Sequence, residues 1–171
     1  MSASLAEPGR TNGFAPLVTR HTRLLVLGSL PGEASLAAGQ YYANPRNQFW
    51  ALIGGVIGQD DLPALPYDDR LDLLTQRGIG LWDVFTSATR QGSLDSAIRQ
   101  AAISPLAGLA QRLPTLQAVA FNGKLAAKAG RKAIGPASLT LIDLPSSSPA
   151  HAAIRFETKL EHWSLLKQFL I

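Results

Sequence analysis

The feature that most constrains this chain is its alternation of short apolar runs with longer amphipathic ones. Arg23–Gly28 (RLLVLG) reads as a buried strand entering a Gly/Pro turn. Gln48–Ile57 reads as a helix, with Phe49, Leu52, Ile53 and Val56 on one face. A second helix is expected over Asp68–Gln76, with Leu71 and Leu74 inward and Gly78 ending it. Ile79–Phe85 is the next strand, and Ser93 is placed to cap a short helix through Arg99. Ser104 and Pro105 open another helix, Leu116–Phe121 forms a third strand, and Asn122 is placed to cap the helix that follows. Leu139–Leu144 is a fourth strand. Glu157–Leu170 closes the chain as a helix whose Leu160, Trp163, Leu166 and Leu170 face inward.

Strand and helix in alternation imply an α/β fold, a parallel sheet covered on both faces in a three-layer α/β/α sandwich. Right-handed crossovers bring all four strand C-termini to one edge, where open α/β sheets bind ligands. The 171 residues suit one domain, read as residues 21–171 after a loosely held lead-in over residues 1–20. No apolar run approaches the ~20 residues of a membrane span, and the N-terminus lacks the pattern of a secretory signal. A cytoplasmic, monomeric protein is the expectation.

The unusual residues all follow strand ends. GSLPG (Gly28, Ser29, Leu30, Pro31, Gly32) and QYYANPRNQFW follow the first strand, and TSATRQGS follows the second. FNGK ends the third and LPSSSPAH follows the fourth. GSLPG matches neither the phosphate loop nor the dinucleotide fingerprint, and it is not a nucleophile elbow. Taken singly, each stretch has a plain structural reading. Asn44, Asn47 and Gln48 suit turns and caps, Asp83 suits a backbone acceptor at a strand end, and SSSPAH suits a Pro-punctuated turn. Tyr42 offers a stacking face, Arg46 a phosphate contact, and the hydroxyls of Ser146, Ser147 and Ser148 suit phosphate oxygens.

The chain has no cysteine, which removes disulfides, thiolate zinc sites and cysteine-held iron–sulfur clusters. Its three histidines are scattered, so no metal and no cofactor is expected. Net charge is +4, with Lys124, Lys128, Arg131 and Lys132 gathered in one segment that contains no acid. Such a cluster is either a solvated helix face or part of a polyanion-binding surface.

Taken in order, GSLPG, QYYANPRNQFW, GIGLWDVFTSATRQGSLDSAI, FNGKLA and LPSSSPAH resemble the uracil-DNA glycosylase superfamily, and more closely its hypoxanthine (deoxyinosine) DNA glycosylase branch. The resemblance runs from about residue 20 to the C-terminus. It implies a four-stranded parallel sheet between helices and a monofunctional glycosylase of base excision repair acting on deaminated bases in DNA. In a prokaryote such an enzyme works at the nucleoid. Mismatch-specific relatives carry an Asn that positions water where this chain has Leu30. The resemblance therefore moves the catalytic role to Asn47 in PRNQFW. It further implies that Gly28–Gly32 and Tyr42 bind the extruded base. Arg46, Lys124 and the loop of Ser146, Ser147, Ser148, Pro149, Ala150 and His151 would hold DNA. Alternatives left open are uracil as the main substrate and a non-catalytic DNA-binding module. No lysine precedes Lys124, so an amine-based lyase using the first two strand ends is not expected.

Overall fold

The structure is a computed structural model that describes residues 10–171. Four parallel strands form the central sheet: β2 (Leu24–Gly28), β3 (Ile79–Asp83), β6 (Ala118–Asn122) and β7 (Thr140–Leu144), in the order β3-β2-β6-β7. β2, β3 and β6 are buried along their whole length, as apolar strands inside a parallel sheet require, while the edge strand β7 is partly exposed. Leu24 and Val26 pack with Phe49, Leu52, Leu74 and Trp163, while Leu25 and Leu27 pack with Leu106, Leu109, Ala126 and Ile134. The first face is covered by α2 (Phe49–Ile57), α3 (Tyr67–Gln76) and α6 (Phe156–Trp163). The second is covered by α4 (Leu106–Arg112) and α5 (Lys124–Ile134). Gly130 lets α5 seat closely, because a Cβ there would lie 2.4 Å from Phe121 Cε1.

Strand β2 is followed in sequence by β3 on one side, while β6 lies on its other side. The chain thus changes direction between β2 and β6, and a crevice opens outside their C-terminal ends.

Several expectations are corrected. Residues 10–20 are held rather than loose. Arg10–Asn12 forms β1, Leu17 pairs with Leu81, Trp82 Nε1 donates to the Phe14 carbonyl, and the Tyr41 hydroxyl donates to that of Ala15. Residues 1–9 of the expected lead-in lie outside the described residues. The polar run after the second strand is itself a strand, β4 (Phe85–Thr89), which pairs antiparallel with β1 and with β5 (Arg99–Ile103) in a second sheet, β1-β4-β5. The helix expected from Ser93 to Arg99 is only a 3₁₀ turn over Asp95–Ala97. Asn122 does not cap α5 with its side chain; it turns toward the loop after β7 instead. A short helix, α1 (Glu33–Ala38), also interrupts the first long connection. The closing helix gives way after Trp163 to a 3₁₀ segment, Ser164–Phe169.

Candidate active site

A cavity of about 190 Å³ opens at the crevice between β2 and β6. It takes lining from all four strand-end connections: Gly28–Gly32, Tyr42 and Asn47 from the first, Asp83 and Leu94 from the second, Asn122 from the third, and Ser146–Ala150 from the fourth. The fold therefore gathers every base-binding residue expected from the sequence, together with Asn47 and the whole SSSPA stretch. Arg46 and His151 are exposed outside the cavity. Lys124 lies in a separate shallow groove with Lys128, Arg131 and Leu144. In space the basic cluster is not free of acid, since Arg131 pairs with Asp143 at 3.0 Å. Among the described residues, no carboxylate lies within ion-pair distance of Lys124, Lys128 or Lys132.

The first wall is aromatic. Tyr42 has a backbone φ of 53°, in the left-handed region that few non-glycine residues occupy. Its ring stacks on Phe49 at 3.8 Å with an interplanar angle of 15°. The residue is half-buried, and burial, helped by the neighbouring charge of Asp83, raises the pKa of its phenol. The hydroxyl thus stays protonated, within 3.4 Å of Asn122 Nδ2.

Asn47 lies two residues before the first residue of α2. Its Oδ1 accepts the Phe49 N–H at 2.9 Å, so the cap reading holds in this geometry. That bond fixes the amide's orientation and leaves the Nδ2 amino group, with both its donors, as the larger part of its free hydrogen-bonding capacity. The next residue ties the site together. Gln48 N–H donates to the Ser147 carbonyl at 2.9 Å, and Gln48 Oε1 accepts from buried Lys159 Nζ at 2.9 Å. Asn122 grips the same serine through Oδ1 to Ser147 N–H (2.9 Å) and through Nδ2 to Ser147 Oγ (2.8 Å). Trp163 Nε1 holds the Pro145 carbonyl. The SSSPA loop is therefore anchored from three elements.

The floor holds the group that sequence reasoning assigned to a plain structural role. Asp83 lines the cavity at 4 % exposure, and its Oδ2 has no hydrogen-bond partner among the described residues. Burial first, then the charge of Asp95, pushes its carboxyl up to about 7, against the opposing pull of Arg90. Gly28 makes room for it: a Cβ at residue 28 would lie 2.7 Å from Asp83 Oδ1 and 2.9 Å from the Tyr42 hydroxyl. Leu30 is buried in the core beneath α4 and α5 and supplies only an apolar wall. The signals for Asp83 and Asn122 were in the sequence, as polar residues ending apolar strands on the ligand-binding edge. Neither residue type at a strand end distinguishes an anchor from a ligand group. Among the described residues no cluster of three or more His, Asp or Glu is arranged to hold a metal ion.

A parallel-sheet domain whose strand ends enclose a small cavity, with an aromatic wall, a buried carboxyl and a hydroxyl-rich rim, is built to hold a planar polar ring. That is the layout of an enzyme acting on a base drawn out of nucleic acid. The comparisons agree. The family model for the "Uracil DNA glycosylase superfamily" matches residues 15–167, and the chain belongs to that family. The hypoxanthine DNA glycosylase of Methanosarcina acetivorans is 40 % identical over 139 residues, covering 81 % of this chain and 87 % of that protein. Its namesake from Methanosarcina barkeri is 43 % identical over 115 residues, 67 % of this chain and 72 % of the relative. A solution NMR structure from M. acetivorans, described as a candidate uracil DNA glycosylase, superposes with a TM-score of 0.81 at 34 % identity. It covers 94 % of this chain and 98 % of that one.

Proposed function

We propose that this DNA glycosylase hydrolyses the N-glycosidic bond of hypoxanthine flipped from DNA, and that it acts as a monomer on chromosomal DNA. The observation that carries the reading is the convergence of Asp83, Asn47 and Tyr42 on one cavity at the sheet's switch point. Two relatives that are named hypoxanthine DNA glycosylases support it. A deaminated purine presents a ring N–H beside a carbonyl. The Asp83 carboxyl in its ionised form accepts that N–H, while adenine offers that carboxylate a lone pair at the same place and is disfavoured. The face of Tyr42 not covered by Phe49 stacks on the extruded base.

The C1′–N9 bond breaks with its electron pair on the base, leaving oxocarbenium character on the sugar. Water then adds its oxygen to C1′, and its proton balances the negative charge of the departing base. Such a transition state asks for a well-placed water more than a strongly activated one. Asn47, with Oδ1 locked by Phe49 N–H, holds that water through Nδ2. The hydroxyls of Ser146 and Ser148 donate to the flanking phosphates, and Lys124, Lys128 and Lys132 add salt-sensitive attraction.

Uracil carries the same N–H beside a carbonyl, and the structural neighbour's description names it, so uracil is the second substrate to test. Duplex oligonucleotides containing hypoxanthine, uracil or xanthine are incubated with the protein and cleaved with alkali. Abasic product is expected fastest from hypoxanthine. Faster release of uracil refutes the substrate assignment, and no product from any lesion refutes the catalytic reading.

A further inference from the structure

The described residues leave five large apolar side chains exposed: Leu94, Ile103, Ile154, Leu165 and Ile171. Of these, only Leu94 lines the cavity. It is 56 % exposed, and the residues on either side of it are hydrogen-bonded to the first connection. Ser93 Oγ, one residue before, accepts the Glu33 N–H at 2.9 Å. Asp95 Oδ1, one residue after, accepts from Ser29 Oγ at 2.6 Å. The Arg90 guanidinium donates to the carbonyls of Ser93 and Pro31. The turn is thus tied to Glu33 on one side of Leu94 and to Ser29 on the other, and within this exposed turn the leucine is the one large apolar side chain. An exposed leucine held this firmly at the mouth of a polar cavity serves no packing role in the free protein. Ordering it in advance lowers the entropy cost of whatever contact it makes.

We propose that Leu94 is an apolar wedge that enters the base stack beside the extruded nucleotide, from the side of the mouth opposite the SSSPA loop. The proposal rests on the base-excision reading above. Pulling a base from a duplex leaves a gap flanked by unstacked faces, and a rigid aliphatic side chain fills such a gap without needing a hydrogen-bond partner. Leu94 would therefore help keep the base extruded in duplex DNA. Where the base is already unstacked, it has no gap to fill.

The test compares wild type with Leu94→Ala and Leu94→Gln in single-turnover excision. One duplex carries a paired hypoxanthine, and another carries it inside an unpaired bubble. A parallel duplex with 2-aminopurine next to the lesion reports unstacking on binding. Leu94→Ala and Leu94→Gln should slow excision from the paired duplex by roughly tenfold or more, the scale of a partly buried leucine. The bubble rate should stay within about twofold, and the 2-aminopurine signal should fall in step. Equal losses on paired and bubble substrates, or no loss on either, would overturn the wedge. Should wild type release no hypoxanthine while the 2-aminopurine signal still falls in the variants, the wedge stands and the substrate reading fails.

Discussion

Replacing Asp83 with Asn tests the cavity floor directly. A carboxyl pushed up to about 7 in the folded protein, against 3.8 for an ordinary aspartate, binds its proton more tightly in the native state than in the unfolded chain. Between these two values the native state carries the extra proton. Its stability therefore falls as pH rises through that window and is level above it. A gap of roughly three pH units corresponds to about 4 kcal/mol, held below pH ~4 and lost by pH ~7. Asparagine keeps the shape and does not ionise. Whatever its amide gains or loses in hydrogen bonding is the same at every pH, so it drops out of the comparison. The stability difference, Asp83→Asn minus wild type, should grow by about 3 kcal/mol between pH ~4.5 and ~8, or roughly 9 °C in Tm for a domain of this size. Urea or thermal unfolding of both proteins across that range measures it. A difference that stays constant within about 0.5 kcal/mol would show that Asp83 is not a desolvated carboxyl, and the reasoning about the floor would fail.

Three further outcomes are expected. Asn47→Ala should lower single-turnover excision by about a hundredfold or more while costing only about 1 kcal/mol of stability for the lost cap; activity surviving within a few fold would leave Asn47 as a cap alone. Gly28→Ala should destabilise by about 1–3 kcal/mol and reduce excision together, because its Cβ forces apart Asp83 and Tyr42; urea midpoints with rates on the same samples would show an unaltered protein if the geometry is wrong. Lys124→Gln with Lys128→Gln should lower the slope of log Kd against log salt by about one to two, with excision of bound substrate unchanged; an unaltered slope would place the DNA elsewhere.

The sheet and its helices were readable because runs such as LLVLG and AVAFN are too apolar and too short to be anything but strands buried on both faces. The second sheet was not. Most of β5 (RQAAI) is exposed, and FTSAT is flanked by turn residues, so neither displays the alternation of a half-buried strand. β4 is completed by pairing with β1, a partner 70 or more residues away in sequence, and β5 by pairing with β4. The glycines, prolines and amides of the cavity wall were legible because special backbone and polar residues at a parallel sheet's C-terminal edge have few other uses. Asp83 and Asn122 were legible only as strand ends. What separates them is which neighbour reaches them: Asn122 finds both ends of Ser147, and Asp83 Oδ2 finds none. That difference depends on tertiary distances no local pattern encodes.

The clasp between the two long connections has a consequence for how such a pocket changes over time. Gln48 N–H to Ser147 C=O is a main-chain bond, indifferent to the side chains on either strand of the clasp. Lys159 braces Gln48 from behind rather than from within the cavity. The frame is therefore separable from most of its furnishings: Asn122 and Ser147 apart, side chains facing the base can be exchanged singly without unlatching the walls. A selection library confined to residues 44, 83, 94 and 146 would sample new base preferences on a scaffold whose closure is inherited intact.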